Sequence, residues 1–154
     1  MLKMEGRHVE VGIAPVADAF AGTTYTDIVN MEEHDTVTFV IFKGAGDTGT
    51  STITVQACDD TTPSNTSAVA FRYRLTTGGS NPGAITTATT SGFATTAGAS
   101  QLYEIEVRAE DLLSSGYSYV RLKAAEATDD AVLGGVLIVM DNPRWANSPT
   151  TATT

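Results

Sequence analysis

The sequence predicts an all-β domain, an antiparallel two-sheet β-sandwich that is jelly-roll-like, with about eight strands and at most one short helix. Threonine, a β-branched residue that fits a pleated strand, makes up about one residue in six. Alternating apolar and polar runs recur with turn signals between them, and no helical pattern separates the runs. The 154 residues suffice for one domain with its own core.

Two adjacent segments predict the centre of this fold. Residues 36–43 are apolar on both faces, which predicts a central strand. Residues 50–58 alternate between apolar side chains and Thr or Gln. Because only the turn 44–49 separates the two segments, we expect them to pair as a hairpin.

The same alternation predicts the remaining strands. They cover 25–30, 69–75, 101–108, 117–125 and 132–140, with one or two short strands within 85–96. Residues 109–115 predict a single helical turn, in which we expect Leu112 and Leu113 to cover an open end of the sandwich.

By pattern, the chain divides into three regions. Residues 1–24 are weakly periodic and predict an N-terminal arm or a short edge strand. Residues 25–145 form the β-sandwich domain, and 146–154 a flexible C-terminal tail. No apolar signal-peptide core is present near residue 1, and the most apolar stretch, 131–140, is too short for a membrane helix. We therefore expect a protein made in the cytoplasm, without a membrane partner.

The charge balance argues against nucleic acid as a partner. The formal net charge is −9, and the nine Lys and Arg residues are scattered along the chain, whereas a phosphate-binding protein needs a basic face. The one cysteine, Cys58, excludes an intrachain disulfide, so the fold does not depend on an oxidising compartment.

Few segments match a chemical motif. Residues 44–49 match G-x-G-x-x-G, but strand-like residues follow where a dinucleotide site needs a helix, so the segment predicts a turn. His8 and His34 are distant from each other, and with Cys58 they do not form a zinc ligand set. We expect both histidines to be exposed in loops or in the arm.

Three pairs of carboxylates are candidates for binding or catalysis. Residues 59–60 and 129–130 are Asp pairs in loops, where Asp is either a turn residue or a Ca²⁺ ligand, and we favour the turn. Glu104 and Glu106 share a strand face with Arg108. This pattern favours a solvated face and not a pair of carboxylates for glycoside hydrolysis. We therefore expect no catalytic residue, no cofactor, no metal site and no enzymatic activity.

The aromatic side chains mostly fall on apolar strand faces, which favours core packing. They include Tyr25, Phe71, Tyr73, Tyr103, Tyr117, Tyr119 and Trp145. A row of exposed aromatics on one sheet would instead indicate a carbohydrate-binding face. Trp145 follows the last strand, where it either caps the core or makes a subunit contact.

Six segments in order carry a resemblance to a known group of proteins. They are FVIFKGAG (39–46), STITVQACDD (51–60), FRYR (71–74), YEIEV (103–107), GYSYVRLK (116–123) and GGVLIV (134–139). Together they resemble short phage and prophage proteins described as virion structural or capsid decoration proteins. The similarity covers roughly residues 8–145.

The resemblance implies a non-enzymatic protein on the capsid exterior that stabilises the head of a tailed phage. It implies the major capsid protein as the partner and a homo-oligomer, with a trimer favoured. The N-terminal arm is expected to order on the capsid surface. Two alternatives remain open, namely a tail or head-fibre β-module and a carbohydrate-binding module.

Overall fold

The computed structural model describes residues 6–45, 48–79 and 81–144. Within these residues the chain forms twelve β-strands and one short 3-10 helix. The strands form two antiparallel sheets of six strands each, which confirms the predicted all-β, two-sheet fold. Several strands are only two or three residues long, too short for alternation to show in the sequence.

The first sheet contains the first and the last strand of the chain together with four others. Its members are β1 (Arg7–Val16), β4 (His34–Lys43), β7 (Phe71–Thr77), β8 (Thr86–Ala88), β10 (Gln101–Arg108) and β12 (Gly134–Pro143). They lie in the order β1-β12-β4-β10-β7-β8.

The second sheet packs against the first. Its members are β2 (Thr23–Tyr25), β3 (Val29–Asn30), β5 (Thr50–Cys58), β6 (Thr66–Val69), β9 (Phe93–Ala94) and β11 (Tyr119–Thr128). The order is β2-β11-β5-β6, with β3 paired to β11 and β9 paired to β5.

This strand order is that of a jelly roll. In the first sheet β1 and β12 are neighbours, followed by β4 and β10; in the second, β2 and β11 are neighbours, followed by β5 and β6. β6 leads almost directly into β7, so the chain changes sheets within one extended stretch. The core fills the space between the sheets, where β4, β5, β10 and β11 bury every second side chain.

The predicted hairpin of β4 and β5 is wrong. β4 pairs with β10 and β12, whereas β5 pairs with β11, β6 and β9, so these consecutive strands lie in different sheets. Lys43 at the end of β4 is buried, and its Nζ donates hydrogen bonds to the carbonyl oxygens of Gly49 and Thr96, each at 2.9 Å. These bonds hold the loop that carries the chain from one sheet to the other.

Residues 1–24, for which the sequence left an arm or an edge strand open, contain β1 in the structure. β1 pairs along β12 at one edge of the first sheet, with register shifts after Val11 and after Ile13. Such bulges re-aim an edge strand and reduce its tendency to pair with another chain. Residues 1–5, Trp145 and the tail 146–154 lie outside the described residues.

A 3-10 helix, Ala109–Leu112, forms the predicted helical turn. Leu112 is buried at that end of the sandwich, but Leu113 is 80% exposed. The expectation that both leucines cover the core is therefore wrong for Leu113, because consecutive residues on so short a turn point in different directions. Among the described residues, no helix is long and apolar enough to cross a membrane.

Candidate functional site

An exposed apolar patch covers half of the outer face of the first sheet. The strand register places side chains of β1, β12, β4 and β10 side by side on this face. The apolar patch consists of Val9, Val11, Val40, Phe42, Leu102, Leu137 and Val139. Phe42 is 59% exposed and Val9 is 53% exposed. Four neighbouring strands span about 14 Å, and a continuous apolar surface of this kind indicates contact with another macromolecule.

Ion pairs cover the other half of the same face. Arg74 on β7 donates from Nε and Nη2 to the two carboxylate oxygens of Glu104 on β10, at 2.5 and 2.9 Å. Arg72 pairs with Asp111 at 2.8 Å, and Arg108 pairs at 3.2 Å with the glutamate two residues before it. The two glutamates of β10 thus bind arginines across a solvated face, as their pattern predicts.

The outer face of the second sheet is polar and carries tyrosines and cations. The guanidinium carbon of Arg121 on β11 lies 4.0 Å from the centroid of the Tyr25 ring on β2. The Nε of Arg121 donates a hydrogen bond to Oε1 of Gln56 on β5 at 3.1 Å. Tyr119 and Lys123 lie two residues to either side of Arg121 on β11 and therefore point to the same side of the sheet. We call these five residues the cationic face.

Neither cation of this face is neutralised by a carboxylate. Within residues 6–45, 48–79 and 81–144, no Asp or Glu forms an ion pair with Arg121 or Lys123. The outward side chains of β5 beside them are Thr52, Thr54 and Gln56. In a chain of net charge −9, two cations without a carboxylate partner among the described residues give this face a locally positive potential.

The two histidines occupy different environments. His34 lies in β4 opposite Pro143 and is buried, so the expectation that it is exposed is wrong. Burial lowers the pKa of His34. His8 is a half-buried residue of β1, and its Nε2 lies 3.7 Å from a carboxylate oxygen of Glu10. His34 is buried because the start of β4 is covered by its neighbours in the sheet. In a loop the same side chain would be exposed to solvent.

Cys58 and the acidic side chains are not gathered into a metal site. Cys58 is buried at the end of β5, and burial raises the pKa of its thiol. In the part of the chain that the structure describes, no three His, Cys, Asp or Glu side chains are grouped closely enough to hold a metal ion.

The two predicted Asp pairs contribute to loop structure. The Asp59 carboxylate accepts hydrogen bonds from the Asn65 side chain and from the backbone N–H groups of Asp60, Ser64 and Asn65, at 3.0 to 3.1 Å. These bonds, with the Asn65 side chain first, lower the pKa of Asp59. Asp130 of the second pair accepts a hydrogen bond from the Thr48 hydroxyl of the loop before β5, so it joins two loops. The bonds of Asp59 match the turn role.

The glycine motif 44–49 forms part of the loop that crosses between the sheets, although Gly46 and Asp47 lie outside the described residues. β5 follows it where a dinucleotide site needs a helix N-terminus. The backbone N–H of Gly44 donates to the carbonyl oxygen of Leu133 at 2.7 Å. The segment is thus a loop, as predicted, but it connects two sheets and does not close a hairpin.

The aromatic side chains are divided between the core and the surface. Phe71 and Tyr103 are buried in the core, as their strand pattern predicts. Tyr73 stacks on Phe93 with ring centroids 3.9 Å apart, and both line a groove of about 480 Å³ between the sheets. Tyr25 is 42% exposed, on the cationic face.

Neither surface was singled out from the sequence. Phe42 belongs to a segment that is apolar on both faces, which predicts a central strand but not which face is exposed. Arg121 and Lys123 belong to an alternating Tyr-x-Arg-x-Lys run, 119–123. That run was the available signal for a polar face with two cations.

The fold and its surfaces define a jelly-roll β-sandwich with one apolar and one cationic outer face. No family model matches the chain, and no curated protein matches it. Among solved structures the chain is similar to the SPBc2 prophage-derived protein YomS, with 12% identity and a TM-score of 0.46, over 88% of this chain and 93% of that chain.

A second similar structure contains the CBM22-1 and GH10 modules of the endo-1,4-β-D-xylanase 10B of Clostridium thermocellum, complexed with xylohexaose. The identity is 8% and the TM-score 0.38, over 98% of this chain and 28% of that chain. At these identities and scores, neither similarity assigns a family or an activity to this protein.

Proposed function

We propose that this protein is a non-enzymatic virion structural protein that binds the outer surface of a phage capsid and stabilises the head. The observation that carries the proposal is the apolar patch, which exposes aliphatic and aromatic side chains on a sheet held by a packed core. The six segments between residues 39 and 139 resemble capsid decoration proteins, and this resemblance supports a protein shell as the partner.

The composition of the face suits docking on protein. The apolar patch provides the dry centre of an interface, and the Arg74–Glu104 pair beside it provides a polar rim. Apolar area removed from water contributes about 25 cal/mol per Å², and a standard interface buries roughly 800 Å² on each partner. The free energy of one such contact is modest, but many copies bound to a closed shell act together against expansion of the head.

The Phe42→Asp variant tests this docking surface. A carboxylate on the apolar patch would lose its hydration against the capsid, so we expect the affinity for heads to fall by about tenfold or more. Purified protein is added to heads assembled without it, the heads are sedimented, and the bound protein is quantified. Bound wild-type protein should also raise the temperature at which heads release their DNA.

Leu113→Asp is the matched control. It introduces the same charge at a leucine that is 80% exposed at one end of the sandwich, and we expect it to bind like the wild type. If both variants bound equally well, the apolar patch would not be the docking surface. Wild-type protein that binds without changing the release temperature would contradict the stabilising role.

A tail or head-fibre module is the competing hypothesis for a virion protein of this fold. Electron microscopy of labelled particles distinguishes the two, because a capsid-binding protein decorates the head surface. A label confined to tails or fibres would contradict the head assignment.

A further inference from the structure

We propose that the cationic face is a binding site for an acidic polysaccharide, a polymer of sugar rings that carry carboxylate or phosphate groups. The site does not depend on the capsid role, because its residues lie on the second sheet and the apolar patch lies on the first. The two outer faces of a sandwich point in opposite directions. A molecule docked through the apolar patch therefore leaves the cationic face open to solvent.

Arg121 is held in an orientation that suits an anion. The guanidinium carbon lies 4.0 Å from the centroid of the Tyr25 ring, and Gln56 accepts the hydrogen bond from Nε at 3.1 Å. These two contacts restrict the rotation of the side chain. In the described part of the chain, no carboxylate forms an ion pair with the terminal nitrogens of Arg121. A planar guanidinium held in this way binds a carboxylate or phosphate in a bidentate fashion.

Lys123 extends the positive surface along the strand. It lies two residues from Arg121 on the same side of β11, which is a separation of about 7 Å. A ligand with repeated acidic groups can therefore contact both cations at once. The remaining surface of this acidic protein repels such a polymer, which confines binding to this face.

The neutral groups around the cations suit sugar rings. Tyr119 lies beside Arg121 on β11 and offers a ring surface on which the apolar side of a sugar packs, while Tyr25 holds Arg121 and adds a polar hydroxyl. Thr52 and Thr54 on β5 add hydroxyl donors and acceptors on the same face. The centre of a protein interface is usually apolar, and this face has no exposed large aliphatic side chain among its described residues.

Titration calorimetry of the purified protein at low salt tests the site with four polymers. Polygalacturonate supplies carboxylates on sugars and a phosphomannan supplies phosphates, so these two distinguish the possible anions. Dextran is the neutral polysaccharide, and poly-L-glutamate is a polyanion without sugar rings. We expect one or both acidic polysaccharides to bind, with dextran and poly-L-glutamate at least about tenfold weaker.

Variants of the cations connect binding to this face. Arg121→Gln should weaken binding by about tenfold or more, and Arg121→Lys should weaken it less, because the charge remains while the planar fork is lost. Arg144→Gln removes the same charge from an exposed residue elsewhere and should bind within about twofold of wild type. Thermal unfolding of each variant verifies that the fold is intact.

Three results would overturn the proposal: no binding of either acidic polysaccharide, equal binding of poly-L-glutamate, or equal losses in Arg121→Gln and Arg144→Gln. Phe42→Asp should bind polysaccharide like the wild type, since Phe42 lies on the opposite face. Failure of the capsid role and failure of this site are therefore separate outcomes.

Discussion

At the scale of single residues, His34 shows how position in a sheet changes an acid–base equilibrium. Its side chain is buried at the start of β4, and this burial lowers its pKa from the ordinary value of about 6.5. His8 acts in the same direction, whereas Glu33 and Asp141 raise the pKa, and desolvation outweighs them. The neutral imidazole is therefore favoured in the folded protein.

The lowered pKa makes stability depend on pH. In the unfolded chain His34 takes up a proton as the pH falls through about 6.5, but in the folded protein protonation is disfavoured. The free energy of unfolding should therefore decrease as the pH falls below that value. We expect His34→Gln to show a flatter dependence between about pH 7 and pH 5 in urea unfolding at fixed pH values.

His8→Gln is the matched control for this measurement. His8 is half-buried on β1, beside Glu10. Because it contributes less than burial to the lowered pKa of His34, its replacement should flatten the pH dependence less than His34→Gln does. A His34→Gln variant with an unchanged slope over the same range would show that His34 does not cause the effect.

At the scale of elements, the turn between β8 and β9 returns the chain from the first sheet to the second. Gly92 in this turn has a φ of 75° and donates its backbone N–H to the carbonyl oxygen of Thr89 at 2.9 Å. It packs closely on β5, so that a Cβ at this position would overlap the carbonyl oxygen of Ile53. Both the backbone conformation and the close approach therefore require glycine.

Gly92→Ala should destabilise the fold by about 1–3 kcal/mol more than Gly79→Ala. Gly79 has a φ of 72°, but an added Cβ there would meet nothing within 4 Å. The two variants share the cost of a left-handed conformation, so their difference isolates the contact with β5. Chemical denaturation of both variants measures it, and equal losses of stability would contradict the close packing.

At the scale of the whole molecule, the sandwich separates two kinds of surface. Valine, leucine and phenylalanine side chains form the apolar patch on the first sheet, where the neighbouring arginines are neutralised by glutamates. Tyrosines, threonines and two cations without a carboxylate partner among the described residues form the outer surface of the second sheet. We therefore expect that binding at one of the two proposed sites does not compete with binding at the other.

The resemblance to decoration proteins leads us to expect a homotrimer, because three copies that bind together increase the affinity for a symmetric shell. Light scattering should give three times the 16.1 kDa mass of the chain. Phe42→Asp should have the same mass as the wild type. A monomeric wild type would contradict the trimer, and a monomeric Phe42→Asp beside a trimeric wild type would place the apolar patch at a subunit interface.

The local part of this structure could be predicted because the alternation of side chains along a strand is a property of a few consecutive residues. The alternation over 101–108 predicts a strand with Glu104 and Glu106 on its solvated face, and the opposite side chains, Tyr103, Ile105 and Val107, are buried. The pairing of β4 and β5 was predicted wrongly, since a short loop after a strand is compatible with a hairpin and with a crossover. The exposure of Phe42 was not predicted for a related reason: alternation assigns it to a face but does not say what covers that face.

The sequence by itself determined the fold class, the positions of most of the longer strands and their alternating faces, because these follow from composition and from a period of two. Only the tertiary structure decided which strands are neighbours, and with that the jelly-roll order, the burial of His34 and the exposure of Phe42. It also brought Tyr25, Gln56 and Arg121 together from three separate strands. Such contacts depend on long-range pairing between distant segments, which the residues of any one segment do not encode.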